Sequence, residues 1–174
     1  VFGVIVGTGT GAGVVVRGHV LGGPNSIAGE WGHNPLPWPQ DSERPGPAWY
    51  CGKHGCIETW LSGPGRSRDY PGLQGQTLDT RQIVVLSDEG VEAAELCLQR
   101  YEDRMARSLA HVINILDPDV IVLGGGMGNI GRLYHNVPKL WGQYVFSDHV
   151  VTKLVAPKYG DSSGVRGAAW LWSE

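Results

Sequence analysis

The 174-residue chain carries 14 Lys and Arg against 17 Asp and Glu, with 27 glycines and three cysteines. That charge balance leaves no basic footprint for nucleic acid, and no apolar run reaches the roughly 18–20 residues that a membrane span requires. An odd cysteine count without a regular framework suits a reducing compartment better than a secreted scaffold. The expectation is a soluble cytoplasmic protein, long enough for one domain with a full core.

The chain opens on an apolar strand over residues 2–6. It then runs through Gly7-Thr8-Gly9-Thr10-Gly11-Ala12-Gly13. GTGTGA satisfies the loose dinucleotide pattern G-x-G-x-x-G/A, but that pattern requires a helix after the loop. Here Val14-Val15-Val16 follows, and β-branched residues favour a strand. The loop therefore joins two strands, and further strands are expected over 13–17 and 19–22, forming an antiparallel meander. Because the chain starts directly on this strand, without a methionine, it reads as part of a longer protein.

Residues 24–46 are polar and proline-rich, and Pro-Leu-Pro-Trp-Pro (35–39) forbids regular structure there. Cys-Gly-Lys-His-Gly-Cys (51–56) precedes a short helix over 57–61, stopped by Ser-Gly-Pro-Gly, and residues 66–75 read as a loop. A helix is expected over 78–87. A long one follows over 88–116, where Ala94, Leu98, Tyr101, Met105, Leu109, Val112 and Leu116 recur every three or four residues. Its last two turns are apolar almost all round, which predicts a buried end. Then come a short apolar strand over 120–123, Gly124-Gly125-Gly126, a helix over 129–145, a strand over 150–156 and a terminal helix over 163–172. A meander followed by alternating helices and strands predicts an α/β layer fold with a mixed sheet.

Two glycine loops stand out. Bare N–H groups at 7–13, and those of 124–126 at a strand end before a helix, can each face an anion, although either could be a tight turn only. A second cluster joins Gly29-Glu30-Trp31-Gly32-His33 with Cys51–Glu58. Two thiols and a histidine are zinc-type donors, with a Cys51–Cys56 disulfide as the alternative. Cys97, inside the long helix, reads as an ordinary buried cysteine. Glu30 and Glu58 bracket the loop and are candidates for binding hydroxyls, or else solvated surface groups.

These motifs together resemble the ROK family (repressors, open reading frames and sugar kinases). The resemblance rests on Val-Gly-Thr-Gly-Thr-Gly-Ala-Gly-Val (6–14), Gly23, Gly29, Gly32-His33, Cys-Gly-Lys-His-Gly-Cys-Ile-Glu (51–58), Asp-Pro-Asp-Val-Ile-Val-Leu-Gly-Gly-Gly (117–126) and Gly-Asp-Ser-Ser-Gly-Val-Arg-Gly-Ala-Ala (160–169). Within the family, residues 29–38 and 50–63 look most like bacterial fructokinases, with N-acetylglucosamine kinases the nearest competitor.

The resemblance implies an actin-like (ribonuclease H-like) ATPase fold, with residues 1–174 as the C-terminal lobe and residues 29–63 as a sugar- and zinc-binding segment inside it. It implies that residues 7–13 and 124–126 bind ATP, that Glu30, His33 and Glu58 hold sugar hydroxyls, and that His33, Cys51 and Cys56 ligate a structural zinc. Magnesium would accompany the ATP, and a homodimer is expected of the intact protein. The family's first phosphate loop and catalytic aspartate belong to a segment that this sequence does not include. Trp49 stands where a third cysteine is usual, so His54 becomes a candidate for the missing ligand. The implied activity is phosphorylation of a hexose, foremost fructose to fructose 6-phosphate. The alternatives are another hexose kinase of the family, or a sugar-sensing regulator with its DNA-binding element in the segment not included.

Overall fold

The computed structural model describes residues 1–70 and 78–170. Five strands form one mixed sheet: β1 (Phe2–Val6), β2 (Thr10–Val16), β3 (His19–Val20), β4 (Val120–Gly124) and β5 (Lys153–Val155), in the order β3-β2-β1-β4-β5. The meander β1-β2-β3 is antiparallel, whereas β4 runs parallel to both β1 and β5. Arg17 and Gly18, both at positive φ, close the β2-β3 hairpin in the backbone geometry that matches strand twist. β2 begins at Thr10, earlier than expected, so the first glycine loop is confined to Gly7–Gly9 and the remaining glycines lie within the strand.

Period-two alternation decides the two faces of the sheet. Phe2, Val4 and Val6 point to one side and are buried, together with Val14, Ile121 and Leu123. Against them pack Tyr101, Met105, Leu109 and Ile113 of α4 (Glu92–Leu116) and Leu133, Val137 and Trp141 of α5 (Leu133–Trp141). Each such side chain contributes about 1.5–3 kcal/mol by leaving water. The opposite face carries Gly3, Ile5, Gly11, Gly13 and Gly124 and is nearly bare.

Several boundaries differ from expectation. Ser-Gly-Pro-Gly ends α1 (Ile57–Leu61) but starts α2 (Gly63–Asp69), because the Ser62 hydroxyl accepts from Gly65 N at 3.2 Å and Pro64 suits a first helical turn. The loop expected from residue 66 is therefore helical as far as 69, and 71–75 lie outside the described residues. α3 (Thr80–Asp88) carries a reciprocal cap between Asp79 and Gln82, and Gly90 at φ +85° separates it from α4. α5 is confined to nine residues; a 3-10 turn over Gly126–Asn129 precedes it. The last strand is shortened to β5, and α6 (Ser163–Trp170) closes the fold; 171–172 lie outside the described residues.

The end of α4 is a correction. His111, Asn114 and Ile115 are exposed, Ile115 at 75 %. Burial all round occurs instead at the middle of the helix, over 104–110, and it includes two arginines. The reason is a loop that packs there. The Glu43 carboxylate, buried, accepts from Arg104 Nε at 2.7 Å and from both terminal nitrogens of Arg107 at 2.9 Å. Arg107 also donates to the carbonyls of Pro37 and Trp38 at 3.2 and 2.8 Å. The proline-rich segment is irregular, as expected, and these charges hold it on the rigid helix.

Candidate functional site

One cleft of about 870 Å³ opens over the bare face of the sheet and its carboxyl edge. Gly7, Thr8, Gly9, Gly124 and Gly125 line it where β1 and β4 end, which is where open α/β sheets receive ligands. Gly160, Ser163 and Gly164, at the start of α6, line another part. Glu30, His33, Tyr50 and Glu58 complete it. The two glycine loops and the two carboxylates singled out in the sequence thus share one cavity, while Gly126 falls just outside its lining.

The glycines are required by close approach. Gly125 sits at φ +78°, and a Cβ there would lie 2.5 Å from Val6 O. At Gly32 a Cβ would collide with Thr10 O, so the turn carrying His33 can lie directly against β2 only without a side chain. The Glu58 carboxylate ties the two parts of the site together: Thr10 N donates to Glu58 Oε2 at 2.6 Å, and Gly63 N donates to Gly7 O at 2.7 Å. Glu58 Oε1 has no protein partner among the described residues. Glu30 is exposed in the same cleft. No Lys or Arg is among the described lining residues, so an anion here would meet backbone N–H groups.

His33, Cys51 and Cys56 converge, each offering a ligand atom, all within 4.8 Å of one another. The two sulfurs are 3.7 Å apart and unbonded. Burial and then the neighbouring Cys51 push the Cys56 thiol up from its ordinary pKa. His33 Nδ1 is buried without a hydrogen-bond partner. Two thiols and an imidazole with an unsatisfied buried nitrogen fit a zinc ion, which would draw off the thiol protons and fill the orphaned position. Backbone pairing shapes the loop: Leu36 N donates to Gly55 O, Ile57 N to Asn34 O, and Trp49 N to Lys53 O, each at 2.9 Å. His54 is not brought to this group. It is exposed, paired through its backbone with Ala48 across the hairpin, and is no part of the three-residue cluster.

Two features escaped the sequence reading. Tyr50 lines the cleft, its hydroxyl 2.8 Å from His33 Nε2. Its position between Trp49 and Cys51 carries no periodic or spacing signal that could have marked it. The Glu43–Arg104–Arg107 cluster was equally hidden, because its partners lie about sixty residues apart.

A mixed five-stranded sheet with α4 and α5 packed on one face, and glycine loops at its carboxyl edge, defines a lobe of the actin-like ATPase class. Comparison with known proteins agrees: the ROK family description matches residues 1–174, and the chain belongs to that family. It is 40% identical over 176 residues to an N-acetyl-D-glucosamine kinase of Photobacterium profundum, covering 98% of this chain and 58% of that protein. The ROK hexokinase of Thermus thermophilus superposes with a TM-score of 0.82 at 30% identity, over 97% of this chain and 55% of that one. A ROK family glucokinase from Streptomyces griseus, in complex with glucose and AMPPNP, shares the fold with a TM-score of 0.82 at 22% identity, over 98% of this chain and 59% of that one. The chain thus spans a little over half the length of the relatives it matches. Among the described residues, no helix is long and apolar enough to cross a membrane.

Proposed function

We propose that the intact protein transfers the γ-phosphoryl group of ATP to a hexose, with fructose as the favoured acceptor and fructose 6-phosphate as the product. The observation that carries this reading is the shared cleft: the carboxylate that can hold a sugar hydroxyl, Glu58, is hydrogen-bonded to the backbone of the first glycine strand at Thr10. Acceptor and phosphate donor are thereby held in register, the proximity contribution on which phosphoryl transfer depends. The backbone of Gly7–Gly9 and Gly124–Gly126 would face the phosphates, although Gly7 N itself donates to Gly9 O at 2.9 Å. Because no Lys or Arg is among the described lining residues, which include two carboxylates, magnesium arriving with ATP would supply the neutralising charge.

In this reading Glu30, His33 and Glu58 orient the sugar. His33, Cys51 and Cys56 would hold zinc, whose contribution is to keep the loop in shape. The base that takes the hydroxyl proton belongs to the lobe carrying the family's aspartate, and residues 1–174 form the C-terminal lobe only. A kinase is favoured over a regulator because both glycine loops are intact and face the cleft.

N-acetylglucosamine is a second acceptor reading, favoured by the 40% identity to a kinase of that name. A coupled assay on the intact protein with ATP, magnesium and each hexose compares the two. Glu58→Ala should lower kcat/KM about 10- to 150-fold, because hydrogen bonds to a charged group contribute roughly 1.5–3 kcal/mol. An unchanged kcat/KM in that variant would sink the assignment of Glu58, and phosphorylation of neither hexose would sink the acceptor reading.

A further inference from the structure

We propose that Tyr50 is a positioning residue for His33, its hydroxyl fixing the imidazole so that Nδ1 is presented to the two cysteines. This rests on the reading above that His33, Cys51 and Cys56 hold zinc. The Tyr50 hydroxyl occupies Nε2 at 2.8 Å, which leaves the buried and otherwise unpartnered Nδ1 as the nitrogen free to meet a metal. A nitrogen that ligates must offer its lone pair, so Nδ1 can do so only in the tautomer with hydrogen on Nε2. In the sugar-free protein that hydrogen donates to Tyr50 Oη, a place that a sugar hydroxyl would take over from the phenol. Metal-bound histidines are held by a partner at the second nitrogen, and Tyr50 supplies that partner here.

The phenol is itself held in place although Tyr50 is 77 % exposed. Its ring meets His33 edge-on, with centroids 5.3 Å apart and planes at 86°, and meets Trp49 at 5.1 Å. Trp49 is in turn fixed by its backbone hydrogen bond to Lys53 across the small hairpin. With three ligands in the cluster among the described residues, the orientation of its single imidazole matters more, because neither of the other two can compensate for its rotation.

Tyr50→Phe tests this, since it keeps both ring contacts and removes only the hydroxyl. Zinc affinity would be measured by competition with a chromogenic chelator for wild type and Tyr50→Phe, with Cys51→Ser as a control for loss of a ligand. The expected result is 10- to 100-fold weaker zinc binding in Tyr50→Phe, with the thermal midpoint of the metal-free protein unchanged. In the metal-free protein, NMR couplings and NOEs should give one His33 rotamer for wild type and an average over several for Tyr50→Phe. Equal zinc affinity in the two proteins would overturn the proposal. So would weaker binding with an unaltered His33 rotamer, because the loss would then come from the loop and not the ring. If wild type takes up no zinc, the metal reading fails by itself, and the rotamer comparison alone decides whether Tyr50 positions His33.

Discussion

Glu43→Gln removes the buried carboxylate that Arg104 and Arg107 share. The side chains of Glu43, Arg104 and Arg107 are 4 %, 5 % and 2 % exposed, so neither guanidinium can turn to water without unpacking the loop. Breaking such a buried pair from one side costs about 3–5 kcal/mol, because the remaining charges stay buried without their counter-ion. Partial relief comes from Asp69 and Asp103, which pair with Arg104 and Arg107 at 3.0 and 2.9 Å, so the lower end of that range is expected. In a protein of this size each kcal/mol moves the midpoint by about 2–4 °C, which predicts a fall of roughly 6–12 °C.

The same residue gives a pH signature. Burial alone would raise the Glu43 pKa, but hydrogen bonds from Arg107, Arg104 and Gln40 N outweigh it and hold the carboxyl at about 2. A folded pKa below the unfolded value of 4.5 means stabilisation that is complete above pH 4.5 and lost as pH falls from there towards 2. That interval corresponds to about 3 kcal/mol, in line with the estimate from burial. Urea unfolding of wild type and Glu43→Gln at pH 7 and across the acid range measures both effects. A loss below about 1 kcal/mol at pH 7 would refute the reasoning, since it would put the cluster in the class of solvent-screened pairs. Parallel acid sensitivity in the two proteins would refute it as well.

Arg66 offers the opposite case. It is 1 % exposed, its three guanidinium nitrogens lack hydrogen-bond partners among the described residues, and its main neighbour is the Tyr101 ring at 5.1 Å. Burial lowers its pKa, so Arg66→Met should raise stability by about 1–3 kcal/mol, read as a higher urea midpoint; an unchanged or lower midpoint would show that the charge has a compensating role. His54→Ala should leave zinc content and chelator resistance as in wild type, because His54 stands outside the cluster; easier zinc loss would restore it as a ligand.

The sequence by itself determined most of the backbone plan. Residues 2–6 are apolar throughout but for Gly3 and short enough to read as a strand, and the β-branched run at 14–16 excludes a helix after the first glycine loop. The three-to-four spacing along α4 places Tyr101, Met105 and Leu109 on the sheet. Such patterns are local, and local periodicity is legible one residue at a time. Gly125 was legible for the same reason, since a tight turn or a close backbone approach admits only a residue without Cβ.

The tertiary structure decided what depends on distant pairing. Reading α4 alone, its apolar last turns look buried and its arginines look solvated. The loop bearing Glu43 buries the arginines at the middle of the helix, while His111, Asn114 and Ile115 stay exposed, because burial depends on what packs against a face and not on the face's own composition. Glu30, His33 and Glu58 could be named from motifs, but the bond from Thr10 N to Glu58, across 48 positions, is what joins residues 29–63 to the first glycine loop in one cleft. Tyr50 and His54 differ for the same reason. They stand four residues apart on one short hairpin, and only the fold of that hairpin turns the phenol onto His33 while leaving the second imidazole in water.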